Sequence, residues 1–133
     1  MASQVHAAQA AISAAIGSRQ SDQVVLACGQ SSAIVVGFEW DGPRRFKFRR
    51  GIDGADLELL DVLESEQVGE RFTDVVMASG DGIFTDAISW LAYTSGTDIT
   101  VVSRPEACAR SLRMAAKNVI YLNFDQNALM EAA

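Results

Sequence analysis

One ten-residue stretch decides the fold: Val75-Val76-Met77-Ala78-Ser79-Gly80-Asp81-Gly82-Ile83-Phe84. Its apolar start predicts a buried β-strand, and a helix is predicted from about Phe84. The two glycines allow a sharp turn between them, because glycine tolerates backbone angles that other residues avoid. In an open α/β sheet, ligands bind at the carboxyl edge of the strands, where this turn lies.

Asp81 has two interpretations at this position. No large side chain stands beside its carboxylate in the turn, which makes it a candidate metal ligand or general base. Aspartate is also a preferred N-cap residue, and in that role it would only stabilise the helix that follows. The sequence leaves both interpretations open.

Helices and strands alternate along the rest of the chain. Helices are predicted over 4–17, 55–66, 84–94 and 105–116, and strands over 24–28, 45–49, 74–78, 99–103 and 119–122. Gly17 is expected to end the first helix. Residues 33–40 stay open, because their Ile-Val-Val run favours a strand whereas the two preceding serines favour a short helix. The alternation predicts an α/β fold, a three-layer α/β/α arrangement with a mainly parallel central sheet.

Length and composition favour one domain over residues 1–133. The chain is 49% apolar with only two prolines, which argues against disorder and allows a sizeable core. We expect an N-terminal helix within 1–19, a core over 20–123 and a C-terminal tail over 124–133. The sequence shows neither a membrane-spanning run nor a signal-peptide pattern, so we expect a cytoplasmic protein with no membrane partner and reduced cysteines.

The net charge of −6 is unevenly distributed. Residues 53–86 contain ten acidic residues and one basic residue, whereas residues 44–50 contain five of the eleven basic residues. A basic segment beside an acidic pocket could hold phosphates near a bound metal ion. The alternation within the basic segment also has a plainer interpretation, in which Phe46 and Phe48 enter the core while the cations face solvent.

Carboxylates are the plausible chemical groups of this chain, because His6 is its only histidine and no phosphate-binding glycine motif is present. Asp53 and Asp56 lie at the predicted start of a helix that follows a strand. Together with Asp81 they could form an acidic pocket at one edge of the sheet. Carboxylate oxygens are suitable ligands for Mg²⁺ or Mn²⁺. Either ion could activate a water molecule and neutralise charge on a phosphodiester. Asp56 is explained equally well as a first-turn residue favoured by the helix dipole.

Three segments together resemble an NYN domain of the PIN-like nuclease superfamily, to which bacterial LabA-like proteins are related. They are Arg50-Gly51-Ile52-Asp53-Gly54-Ala55-Asp56-Leu57-Glu58-Leu59-Leu60, then the stretch from Val75 to Phe84, then Val101-Val102-Ser103-Arg104 followed by Leu112-Arg113-Met114-Ala115-Ala116. The resemblance covers residues 20–123. It implies a PIN-like topology and metal-dependent cleavage of RNA, with Mg²⁺ or Mn²⁺ held by carboxylates from several strand ends.

The resemblance also assigns roles to individual residues. Asp81 and Asp56 match the catalytic, metal-binding aspartates of the strand-turn and helix-start motifs. Asp53 is a further candidate metal ligand, and Ser79 is a polar supporter of the site. The candidate nucleic-acid-binding residues are Arg49, Arg50, Arg104 and Arg113.

The chain departs from the family pattern in two places. Many NYN domains have a second aspartate where this chain has Ile83, and they begin with a central strand that carries an aspartate. No apolar strand precedes Gln4, so that strand has no counterpart. Because its absence would leave sheet edges with unpaired backbone groups, we expect a rearranged strand order, a homo-oligomer, or a partner chain that supplies the missing strand.

Three functions follow as hypotheses. The first is a metal-dependent ribonuclease that uses Asp56 and Asp81, with Asp53 as a further ligand. The second is a catalytically inactive NYN-like protein that binds RNA or a protein through residues 44–50 and Arg104. The third is an interaction or regulatory domain without either property.

Overall fold

The computed structural model describes residues 2–17, 19, 22–29, 36 and 38–122. The chain forms two compact units, and the boundary between them lies between Leu59 and Leu60. The predicted tail over 124–133 lies outside the described residues.

The described residues of the first unit include two longer helices and two strands. Helix α1 spans Ala2–Ile16, strand β1 spans Val25–Cys28, strand β2 spans Arg45–Phe48, and helix α2 spans Gly54–Ser65 and crosses the unit boundary. β1 and β2 are parallel, with Leu26 beside Phe46 and Cys28 beside Phe48. Gly17 follows α1 with a φ of 65°, a left-handed conformation typical of the residue that ends a helix.

Part of the open segment 33–40 is helical. Val36, Phe38 and Glu39 have helical conformation, and the N–H of Trp40 donates to the carbonyl oxygen of Val36 at 3.2 Å. Residues 33–35 and 37 lie outside the described residues. In its described positions, the segment therefore takes the helical alternative.

The prediction that Phe46 and Phe48 enter the core is wrong. Their side chains are 39% and 46% exposed, whereas Lys47 between them is half-buried. The Lys47 ammonium lies 3.4 Å from a carboxylate oxygen of Glu58 in α2. Lys47, which pairs with α2, is therefore the least exposed residue of β2.

Within its described residues, the second unit includes the end of α2, three further helices and three strands. Helix α3 spans Val68–Arg71, β3 spans Asp74–Met77, α4 spans Thr85–Ser95, β4 spans Asp98–Ser103, α5 spans Arg110–Ala115 and β5 spans Asn118–Tyr121. Short 3-10 helices at Gly82–Phe84 and Pro105–Ala107 follow β3 and β4. β4 lies between β3 and β5 and is parallel to both.

The core of the second unit lies between its sheet and the helices α4 and α5. The helices α4 and α5 follow β3 and β4 in the chain, α4 contacts the central strand β4, and the two helices contact each other. The fully buried side chains of this unit are Phe84, Ile88, Leu91, Ile99, Val101, Val102 and Leu112. They come from the 3-10 turn after β3, from α4, from the central strand and from α5.

The continuous helix predicted over 105–116 is wrong, because the segment is interrupted in the middle. Cys108 and Ala109 are extended and separate the 3-10 helix from α5. The N–H of Ala109 donates to the carbonyl oxygen of Gly80 at 2.8 Å. A tertiary hydrogen bond thus replaces the helical one that local propensity favours.

The predicted α/β class, with parallel strands and flanking helices, is confirmed. All three strand pairings are parallel, and the described strands form two sheets of two and three strands. Each sheet has edge strands, and their pairing with a further strand or a second copy stays a prediction. No helix within the described residues has both the length and the hydropathy that a membrane crossing requires.

Candidate functional site

A shallow cleft, widely open to solvent, lies at the carboxyl ends of β3 and β4 in the second unit. Its volume is about 520 Å³. Two segments line it, residues 79–82 after β3 and residues 106–109 after β4. The predicted strand-turn stretch thus forms one wall, at the sheet edge where parallel strands place their ligands.

Gly80 lets the two walls approach each other closely. A Cβ atom at Gly80 would collide with the carbonyl oxygen of Ala107 and would lie 2.5 Å from the Ser103 hydroxyl. The Gly80 carbonyl oxygen also accepts the hydrogen bond from Ala109. Because a larger residue would force the loops apart, glycine at this position fixes the shape of the cleft.

Asp81 is exposed at the start of the turn. Its Oδ1 accepts a hydrogen bond of 3.0 Å from the N–H of Ile83, so the capping interpretation describes a contact that is present. Ser79 Oγ accepts a hydrogen bond of 3.2 Å from the N–H of Asp81. The first bond holds the carboxylate and the second holds the backbone of Asp81, and capping uses only one of the two carboxylate oxygens.

Glu106 and Cys108 line the cleft and were missed by the sequence reasoning. The exposed Glu106 carboxylate pairs with the Arg104 guanidinium at 3.4 Å. The Cys108 thiol is half-buried. One signal could have found them, since residues directly after β4 must lie beside those after β3 when neighbouring parallel strands end together.

Asp53 and Asp56 belong to the turn that starts α2 in the first unit. Asp53 has a φ of 59°, and its carbonyl oxygen accepts a hydrogen bond of 2.9 Å from the N–H of Leu57. Asp56 is half-buried in the first turn of α2. Asp53 thus precedes the first helical turn, and Asp56 stands where the helix dipole favours an acidic side chain.

The predicted pocket of Asp53, Asp56 and Asp81 stays a prediction. Asp53 and Asp56 are in the first unit, and Asp81 is in the second. Across the part of the chain that the structure describes, no three His, Cys, Asp or Glu side chains are grouped so that they could hold a metal ion.

The predicted nucleic-acid-binding arginines occupy different settings. Arg49 and Arg50 are exposed directly after β2, and the Arg49 Nε donates to Glu58 at 2.9 Å. Arg113 is exposed in the last turn of α5. Arg104 precedes the 3-10 helix and is half-buried, and its guanidinium pairs with Glu106, which lines the cleft.

Comparisons with known proteins support the fold class but assign no function to the chain. No family model matches the chain, and no curated protein matches it. Among solved structures, the chain is similar to a protein of unknown function from Vibrio parahaemolyticus, with a TM-score of 0.53 and 18% identity. The similarity covers 76% of this chain and 67% of that chain. At this level of identity the similarity shows the fold alone, and it agrees with the α/β class.

Proposed function

We propose that this chain is a metal-dependent ribonuclease of the NYN and PIN-like kind. The observation that carries the proposal is the exposed Asp81 carboxylate in the cleft beyond β3, where Glu106 provides a second carboxylate. Ligands bind at this edge of parallel sheets. The resemblance of the surrounding motif to NYN domains supports the same assignment.

The cleft residues suit a hard divalent cation. Mg²⁺ is usually held by one or two carboxylates together with waters and substrate phosphates. Asp81 has a second oxygen besides the one that caps the turn, and Glu106 lines the same cleft. Asp56 and Asp53 are proposed as further ligands on the strength of the resemblance. A bound Mg²⁺ or Mn²⁺ would activate water and neutralise charge on the phosphodiester.

The remaining residues position the carboxylate and the substrate. Ser79 orients the backbone of Asp81. Arg104 and Arg113 are proposed to bind phosphates, and the pairing of Arg104 with the cleft residue Glu106 supports this for Arg104.

Cleavage of a labelled single-stranded RNA with Mg²⁺ or Mn²⁺ tests this function. Asp81→Asn is the decisive variant, because asparagine also caps helices and removes only the charge. We expect metal-dependent cleavage by the wild type and its loss in Asp81→Asn and Glu106→Gln. Asp86→Asn changes an exposed carboxylate of α4 outside the cleft and is the matched control. Absence of cleavage by the folded wild type would contradict the proposal.

RNA binding without cleavage is the second candidate. Asp81 already caps a turn and Glu106 already pairs with Arg104, so both carboxylates have structural roles. Exposed cations lie along residues 44–50, in a chain whose net charge is −6. A local cationic surface attracts a polyanion such as RNA even when the net charge of the chain is negative.

The salt dependence of RNA binding tests this candidate. Each cation that neutralises a phosphate of a single strand contributes about 0.7 to the slope of log K against log salt. Arg50→Ala is therefore expected to weaken binding and to lower that slope by about 0.7. Arg19→Ala removes another exposed arginine of the first unit and is expected to change neither. Equal effects of the two substitutions would contradict the assignment.

Partners and location complete the proposal. The edge strands of the two sheets support a homo-oligomer or a partner chain that supplies a strand, and the cellular location is proposed to be the cytoplasm. Light scattering on the purified chain tests the first point, and a stable, monodisperse monomer would contradict it.

A further inference from the structure

An ion pair joins a carboxylate of the cleft to the arginine that directly follows β4. Arg104 Nη1 lies 3.4 Å from Glu106 Oε1, and the two side chains are 37% and 66% exposed. Glu106 lines the cleft together with Asp81. The pair therefore connects a residue proposed to bind a metal ion with a residue proposed to bind phosphate.

The backbone that carries this pair is held by several contacts. The carbonyl oxygen of Arg104 accepts hydrogen bonds of 3.1 Å from the N–H of Ala107 and of 2.9 Å from the hydroxyl of Ser103. Pro105 begins the 3-10 helix, and its ring fixes φ at that position. The pair can consequently open by rotation of its side chains alone, without a change in the walls of the cleft.

Both proposed ligands of the cleft compete with this ion pair. An ion pair exposed to solvent contributes little to stability, because water screens the charges and two long side chains must be ordered. A divalent cation binds carboxylate oxygens and repels a neighbouring guanidinium. A phosphate group, in turn, offers the guanidinium two oxygens at once. The cation thus competes for Glu106, and the phosphate competes for Arg104.

We infer that the ion pair of Arg104 and Glu106 couples metal binding to RNA binding at the cleft. Without RNA, Arg104 neutralises Glu106 and lowers the affinity of the cleft for a divalent cation. A phosphate of the bound strand draws the guanidinium away and releases the carboxylate to the cation. This inference rests on the proposed function, and it adds that the metal ion and the RNA strengthen each other's binding by the same factor.

The affinity for Mn²⁺ alone, measured from the EPR signal of the free ion, tests the first half of the inference. Arg104→Met keeps the apolar stem of the side chain and removes its charge. We expect this variant to bind Mn²⁺ about 2- to 5-fold more tightly than the wild type, the range that an exposed ion pair can contribute. In a chain that also carries Glu106→Gln, the same substitution is expected to have a smaller effect, because the carboxylate that it would release is gone.

Lys117→Met is the matched control for the loss of one positive charge. Lys117 forms an exposed ion pair of 3.0 Å with Asp98, which begins β4, whereas the cleft lies beyond the other end of that strand. A strand from Asp98 to Ser103 spans about 17 Å, a distance at which exposed charges are largely screened at physiological ionic strength. We therefore expect Lys117→Met to bind Mn²⁺ as the wild type does.

The affinity for Mn²⁺ in the presence of a bound strand tests the second half. The probe is a single strand of about 12 nucleotides, a length within the usual site sizes, with 2′-O-methyl riboses and phosphorothioate links that resist cleavage. Mn²⁺ bound by the strand alone is subtracted. We expect the strand to tighten Mn²⁺ binding by the wild type about 2- to 5-fold and to have a smaller effect on Arg104→Met, in which the carboxylate is already released.

Three outcomes would overturn the inference. Equal Mn²⁺ affinities of the wild type and Arg104→Met would show that the ion pair does not restrain Glu106. An equal gain from Arg104→Met with and without Glu106→Gln would show a general effect of charge. An equal effect of the strand on the wild type and on Arg104→Met would show that RNA does not act through Arg104.

These outcomes leave the proposed function standing, because cleavage of RNA by the wild type tests that function separately. Failure of the wild type to bind Mn²⁺, with or without the strand, would instead overturn both the inference and the proposed function.

Discussion

The carbonyl oxygen of Gly80 accepts a hydrogen bond of 2.8 Å from the backbone N–H of Ala109. This bond joins the segment after β3 to the segment after β4 and interrupts the helix that the local sequence favours. The two segments it joins are the two walls of the cleft. A single backbone contact therefore determines both the local conformation and the shape of the candidate site.

Replacing Gly80 by alanine is expected to destabilise the fold by about 1–3 kcal/mol, the usual range for an extra methyl group in a packed site. The added Cβ would meet the Ala107 carbonyl oxygen and the Ser103 hydroxyl. Urea unfolding measures the loss. Gly29→Ala is the matched control, since a Cβ there meets nothing within 4 Å, and a comparable loss at Gly29 would contradict the packing argument.

Asp81 is expected to respond differently to two substitutions. Asp81→Ala removes the acceptor for the Ile83 N–H and is expected to lower the free energy of unfolding by about 0.5–2 kcal/mol. Asp81→Asn keeps an acceptor oxygen and is expected to stay close to the wild type in stability. Equal losses in the two variants, measured by urea unfolding, would show that the charge rather than the cap stabilises the turn.

The strand-turn motif predicted most of the local structure at the candidate site. The apolar run Val75–Met77, the glycines and the capping option for Asp81 all depend on neighbours within a few residues. The structure contains the strand, the turn and the cap in those places.

The contacts that join distant segments could not be predicted in the same way. Alternation gives Phe46 and Lys47 opposite faces, but the lower exposure of Lys47 accompanies its ion pair with Glu58 in the following helix. Likewise, Glu106 lines the cleft because the segment after β4 packs closely against Gly80. Both features depend on contacts between segments that are distant in the sequence, and a local periodic pattern cannot predict such contacts.

The carboxylate of Glu58 is expected to make the stability of the fold depend on pH. The hydrogen bond from Arg49, together with the nearby Lys47, holds the pKa of Glu58 below its usual value, although partial burial opposes this. Because the pKa is lower in the folded than in the unfolded chain, the stabilisation is fully present above the unfolded value of about 4.3. It is lost as the pH falls through the lower, folded pKa.

Urea unfolding of the wild type and Glu58→Gln at several pH values between about 3 and 7 measures this effect. The difference in stability between the two is expected to be largest near neutral pH and to shrink on acidification. Glu64→Gln changes an exposed carboxylate of the same helix and serves as the control. A difference that stays constant over the whole range would contradict the role assigned to Glu58.

Thr97→Val is expected to stabilise the protein. Thr97 is only 4% exposed, and its hydroxyl has no hydrogen-bond partner among the described residues. An unsatisfied buried hydroxyl costs about 1–3 kcal/mol, and valine has nearly the same shape without it. We therefore expect the free energy of unfolding to rise by about 1 kcal/mol in urea titrations.

Thr94→Val is the matched control for this substitution. The Thr94 hydroxyl donates to the Trp90 carbonyl oxygen at 2.7 Å. Valine at this position therefore removes an existing hydrogen bond, whereas valine at position 97 removes a hydroxyl that has no partner among the described residues. We expect Thr94→Val to be neutral or destabilising. If Thr97→Val were instead destabilising, an ordered water would be the natural partner of the Thr97 hydroxyl, since buried water commonly satisfies such groups. Comparing the changes in the free energy of unfolding caused by Thr97→Val and Thr94→Val thus decides whether an unsatisfied polar group lies just before β4.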